Sequence, residues 1–169
     1  MRFKITLAAI AATFAFALPA QAQTVSATAE ARGLVLQPLT LSRVDDLDFG
    51  TVISGATAGS VSINPDSGFR TLVGIAAGPA AGNRARFSGA GTPGQQVDLD
   101  LVYPGVLTSA GNNIAITSLD FSGGGGQSTT VTLDATGTFE IGVGGTFAIG
   151  ANQANGLYTA QFQVTAEYL

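Results

Sequence analysis

The sequence predicts an all-β protein, an antiparallel β-sandwich of immunoglobulin-like topology, on three observations. Apolar and polar residues alternate with a period of two in several short runs, giving each run one dry and one wet face. Clusters rich in Gly, Pro, Asn and Ser separate the runs, at residues 64–68, 91–94, 103–105 and 123–126. Charged residues make up only 11% of the sequence and 23 of its 169 residues are glycine, a balance that favours strands joined by turns over helices.

In sequence order, residues 1–22 come first and read as an export signal. Arg2 and Lys4 form a basic start, residues 5–18 are apolar but too short to span a bilayer, and Ala20-Gln21-Ala22 offers a small-residue cleavage site. Cleavage is expected after Ala22. Residues 23–36 follow as an N-terminal extension. Within it Val25, Ala27, Ala29 and Ala31 alternate with Thr24, Ser26, Thr28, Glu30 and Arg32, which predicts a strand whose apolar face is thin. Such a strand buries too little to nucleate a domain, but it suits a narrow groove supplied by something else.

Residues 37–169 form the predicted sandwich domain, with no internal repeat and no linker. Short strands are expected at 39–41, 60–63, 69–75, 85–88, 114–121, 129–133, 138–143 and 146–149. Another is expected where Val97, Leu99 and Leu101 alternate with Asp98 and Asp100. The clearest alternation is the last. Tyr158, Ala160, Phe162, Val164, Ala166 and Tyr168 share one face, while Thr159, Gln161, Gln163, Thr165 and Glu167 share the other, predicting one long half-buried strand.

Composition excludes much chemistry. With no cysteine and no histidine there is no disulfide, thiol nucleophile, Cys/His zinc site or imidazole base. After residue 22 the only basic residues are five arginines against eleven acidic ones, a formal charge of −6, so nucleic acid is not an expected partner. Arg84 and Arg86 share a strand face, read as solvated and not as a phosphate grip. Asp66-Ser67-Gly68 matches the aspartic-protease triplet, but no second copy exists and Asn64-Pro65 before it makes an ordinary turn. Asp45, Asp46 and Asp48 offer oxygens to a calcium ion; the plainer reading points Asp46 and Asp48 outward while Leu47 and Phe49 straddle the core. The 123–126 glycine run reads as a flexible hairpin tip, and 142–145 as a bulge or a place of close strand packing, since neither has the Lys-Ser/Thr of a phosphate loop. Serine and threonine hydroxyls lack a base. Tyr103, Tyr158 and Tyr168 suggest a sugar platform less than they suggest core. No cofactor, no metal and no enzymatic activity are expected.

The two ends of the sequence together resemble a known pattern. Gly156 is fourteenth from the C-terminus and Tyr168 penultimate, with alternating apolar residues between, as in pilus subunits exported by the chaperone–usher route. The turn Leu47-Asp48-Phe49-Gly50 is similar to that of several fimbrial and spore-coat-like subunits. More specifically, Pro38-Leu39-Thr40-Leu41, residues 47–52, Val143-Gly144-Gly145 with Gly150-Ala151-Asn152-Gln153, and Gly156-Leu157-Tyr158 resemble the bacterial domain of unknown function 4402, with residues 54–127 matching only loosely.

That resemblance implies a pilin-like sandwich lacking its last strand, with a groove beside the C-terminal strand. A periplasmic chaperone fills the groove first, and at the outer-membrane usher the extension of a neighbouring copy replaces it. Carried onto this sequence, the donor strand is about residues 24–33, with Val25, Ala27, Ala29 and Ala31 facing in. The acceptor edge is 156–168, with Gly156, Tyr158, Ala160, Phe162, Val164, Ala166 and Tyr168 along it. The disulfide of many pilins is absent. Ordering about ten donor residues costs on the order of 10–20 kcal/mol. Burying about 300 Å² of alanine-rich surface returns about 7 kcal/mol, and about ten backbone hydrogen bonds at roughly 1 kcal/mol each bring the sum near balance. Leu34, Val35 and Leu36 are therefore expected to help, by extending the donor or by anchoring it to its own subunit.

The expected function is a structural subunit of a surface fibre assembled by strand donation, with passage through the periplasm to the cell surface. The alternative is a self-complemented secreted sandwich that binds glycans or proteins.

Overall fold

The computed structural model describes residues 23–169. The expected signal segment 1–22 lies outside the described residues. The protein divides after Leu34, and residues 35–169 form one compact unit. Residues 23–34 have no helix or strand, so the strand expected over 24–32 is not formed in the single protomer. A strand is held by a ladder, and no ladder partner is paired with this segment. Leu34 and Val35 are exposed, whereas Leu36 is half-buried.

Twelve strands build the compact unit, all paired antiparallel. They are β1 (Thr40–Asp45), β2 (Val52–Ile53), β3 (Gly59–Ile63), β4 (Arg70–Val73), β5 (Ala76–Ala77), β6 (Ala85–Ala90), β7 (Gln96–Val102), β8 (Val106–Ser109), β9 (Asn112–Phe121), β10 (Ser128–Thr132), β11 (Thr138–Ile149) and β12 (Gln163–Tyr168). Seven form one sheet in which β11 pairs with β6, β3 and β9, while β1 extends it beyond β6, β4 beyond β3 and β8 beyond β9. The second sheet has three strands in the order β10-β7-β12, and β2 and β5 make a two-stranded ribbon. The result is the all-β antiparallel sandwich that the alternation predicts.

The core forms where inward residues of the sheets meet. Val97, Leu99 and Leu101 of β7 are buried with Phe87 of β6, Leu119 and Phe121 of β9, and Ile141 and Val143 of β11. A second cluster gathers Val61, Ile114, Phe147 and Ile149. Asp98 and Asp100 take the opposite, wetter face of β7, as the alternation requires.

Two expected strands, 138–143 and 146–149, are one continuous strand, β11. The intervening glycines do not break it, because neighbouring backbone crowds them. A methyl at Gly144 would meet the Ile63 carbonyl, and one at Gly145 the Ser118 carbonyl. Close strand packing, one of the two roles expected for 142–145, is what the geometry shows. The 123–126 run lies in a 3-10 turn and its exit, closed by Phe121 N–H donating to the Gly126 carbonyl at 2.8 Å.

A strand edge without a neighbour beside an apolar groove

The predicted strand 158–168 is shorter in the structure, and its partner explains why. β12 pairs with β7 from Gln163 opposite Val102 to Tyr168 opposite Val97. At Val102 the partner ends in the bend Tyr103-Pro104-Gly105, where proline lacks an N–H and Gly105 has φ +61°. The backbone returns as β8, and there Thr159 exchanges two 3.0 Å backbone bonds with Thr108. Residues 160–162 thus pass a bend that offers no ladder.

The register also fixes where the free backbone groups point. Leu169 N–H donates to the Gln96 carbonyl, so odd-numbered residues of this strand turn their N–H and C=O toward β7. Val164 and Ala166 turn theirs the other way. β12 ends the sheet on that side, and among the described residues no strand pairs with this edge. The same even-numbered positions carry the apolar side chains: Phe162, Val164, Ala166 and Tyr168 are half-buried against the main core, while Ala160 is exposed. Phe162 meets Phe87 edge to face at 6.0 Å.

Beside residues 156–162, which lead into β12, lies a cavity of about 550 Å³. One wall is the segment 46–52, the other is 156–162, and Leu107, Ile116, Leu119 and Phe147 form the floor. A second cavity of about 400 Å³ continues it, sharing Thr51, Val52, Ile114, Gly156 and Tyr158. Leu47 and Phe49 hold the first wall by packing into the core, with Phe49 edge-on to Phe147 at 4.5 Å. Arg70, which the sequence did not single out, fastens that wall from behind. Its Nη1 lies 3.2, 3.1 and 2.7 Å from the carbonyls of Phe49, Thr51 and Ala80.

At the far end of the edge the Tyr168 hydroxyl donates to the Gln37 carbonyl at 2.9 Å and accepts from Thr92 N–H at 2.8 Å. At the near end the Tyr158 hydroxyl donates to the Ala154 carbonyl at 2.7 Å and accepts from Gln153 Nε2 at 2.9 Å. Both rings are therefore tied down and half-buried.

The remaining candidates separate. Asp45 pairs with Arg86, Asp46 with Arg43, and Asp48 accepts from Gly50 N–H, so the three carboxylates are engaged apart from one another. Among the described residues no three acidic groups converge as a metal site. Arg86 also reaches Glu140 at 3.0 Å, and these partners, Asp45 first, raise its pKa further above the ordinary arginine value. Arg84 donates to the Pro65 carbonyl at 2.8 Å. Asp66-Ser67-Gly68 is a turn in which Asn64 Oδ1 accepts from Asp66 and Ser67 N–H, and Asp66 Oδ1 accepts from Gly123 N–H.

Fold and edge together define an antiparallel β-sandwich in which β12 forms an unpaired sheet margin and the segment leading into it walls an apolar groove. The family model described as "Domain of unknown function (DUF4402)" matches residues 39–168, and the chain belongs to that family. The matched region holds both groove walls and the whole of β12, and leaves the extension outside it. No curated protein matches this sequence.

Proposed function

We propose that this protein is a pilin-like structural subunit, exported to the cell surface and assembled into a fibre by donor-strand complementation. The observation that carries this reading is the match between the free edge and the extension. The edge spans 158–168, with apolar residues at every second position. The extension offers the same period over 25–35, as Val25, Ala27, Ala29, Ala31, Gly33 and Val35. A strand added to β12 places its inward residues opposite the even-numbered ones. A one-residue slip would instead turn Glu30 and Arg32 into an apolar groove, at the cost of burying charge. The cavity lies at the 156–162 end of the edge, where one of the extension's two terminal valines would meet it, while the alanines would run along Val164 and Ala166. A periplasmic chaperone and an outer-membrane usher are the partners this reading requires, the first to cover the groove before a neighbouring copy does.

A second reading has one observation in its favour. The Gln37–Tyr168 bond roots the extension at the end of the same edge, so the extension could turn back on its own sandwich as a self-complementing strand. A sizing column separates the two. Protein starting at residue 23 should polymerise or need a chaperone, and protein lacking 23–33 should stay a folded monomer. Polymerisation that survives the truncation contradicts strand donation.

A further inference from the structure

The loop joining β11 to β12 carries a chemically labile bond that the proposed function does not use. Of the protein's six asparagines, Asn155 alone precedes a glycine. It is exposed, and the bonds that order the loop run from Gln153 and Tyr158, leaving its amide without a hydrogen-bond partner among the described residues.

We propose that Asn155-Gly156 is a site of spontaneous deamidation built into the groove wall. The Gly156 backbone nitrogen gives up its proton and attacks Asn155 Cγ, where no Cβ on the following residue hinders the approach. The new C–N bond closes a five-membered imide as the bond between Asn155 Cγ and Nδ2 breaks and ammonia leaves with that proton. Water then opens the ring at one of its two carbonyls, giving aspartate or isoaspartate. One water is consumed and one ammonia released, with no change of oxidation state.

The other asparagines are protected. Pro65 after Asn64 has no N–H to lose, and the Asn64 side-chain oxygen already accepts two hydrogen bonds. The Asn83 amide donates to the carbonyls of Asp46 and Arg84. Asn112 and Asn113 are held in β9, and residues with side chains follow them and Asn152.

Position gives the reaction its consequence. Asn155 and Gly156 line the second cavity with Ile114, Ile149 and Tyr158. Gly156 lies so close to β8 that an added methyl would collide with the Ser109 hydroxyl. Isoaspartate inserts one extra backbone carbon and a carboxylate at this contact, just before the Thr159–Thr108 bridge. Ageing therefore loosens the groove wall and lowers its apolar character.

The test is to hold purified protein in mildly alkaline buffer at body temperature, beside a synthetic peptide of residues 150–161. Peptide mapping by mass, isoaspartate labelling and amide exchange at Thr108 and Thr159 are followed over time. The expected result is conversion at residue 155 ahead of every other asparagine, abolished in Asn155→Gln, with faster exchange at Thr108 and Thr159 in the converted protein. Conversion of the peptide while folded Asn155 stays intact would overturn the proposal, as would conversion that leaves both exchange rates unchanged.

Discussion

Gln37 and Tyr168 stand 131 residues apart in sequence and are joined by a hydrogen bond from the tyrosine hydroxyl to the glutamine carbonyl. The same hydroxyl accepts from Thr92 N–H, so one side chain ties the start of the sandwich and the β6–β7 loop to its last strand. Tyr168→Phe keeps the ring and strands both backbone groups. It should cost about 1–3 kcal/mol, read from urea unfolding. Unchanged stability would mean that water replaces the hydroxyl without loss.

Arg70 predicts a second loss, located at the groove. Arg70→Met keeps the apolar stem, leaves the Phe49 carbonyl without its donor, and removes the second donor from the Thr51 and Ala80 carbonyls, which keep the Gly78 and Thr51 N–H groups. A charge-assisted donor of this kind contributes about 1.5–3 kcal/mol. Amide exchange in segment 46–52 should rise more than exchange in β7, and an even rise across both sheets would deny Arg70 its local role.

Asp134 predicts an acid limb. Its carboxylate accepts from Thr138 N–H, from the Thr136 and Thr138 hydroxyls and from Thr136 N–H, and these bonds, the Thr138 backbone one first, hold its pKa far below the usual carboxylate range. A depressed folded pKa gives stability that is complete above the unfolded value near 3.8 and fades as pH falls toward the folded one. Asp134→Asn should therefore lower stability at neutral pH and flatten the decline below pH ~4. An acid limb identical to the parent's would contradict the assignment.

Trypsin should report the state of the extension. Arg32 is the only basic residue among 23–36 and is exposed there, whereas the Arg43 backbone is held in the β1–β6 ladder opposite Phe87 and Arg70, Arg84 and Arg86 are held by carbonyls or carboxylates of the sandwich. Brief digestion of monomer should remove the residues up to Arg32 and leave the rest whole. Assembled material should resist at the same bond, and equal cleavage in both would argue that Arg32 is never covered.

How much of this was legible in the sequence depends on what each element rests upon. β7, β10 and β12 were legible because one face of each is wet, so their side-chain period is visible. The two-residue ribbon of β2 and β5 was not, nor was β8, whose four residues include only Leu107 packed on the core. Such strands exist because tertiary neighbours hold them, and no period survives over so few positions. The inward apolar side chains of the last strand were legible at 162–168, while the break at 160–162 was set by Pro104 and Gly105, far earlier in the sequence. The cavity, Arg70 behind its wall and the Gln37–Tyr168 tie depend on segments brought together by folding, and nothing local marks them.

The most direct test of the central claim reads the amide protons of Val164 and Ala166, which face the free edge of β12. Exchange should be fast in protein lacking residues 23–33 and slow by orders of magnitude in assembled full-length material, with Thr165 and Glu167 protected in both. Slow exchange at Val164 and Ala166 in the truncated monomer, or fast exchange in the assembly, would contradict strand addition at this edge.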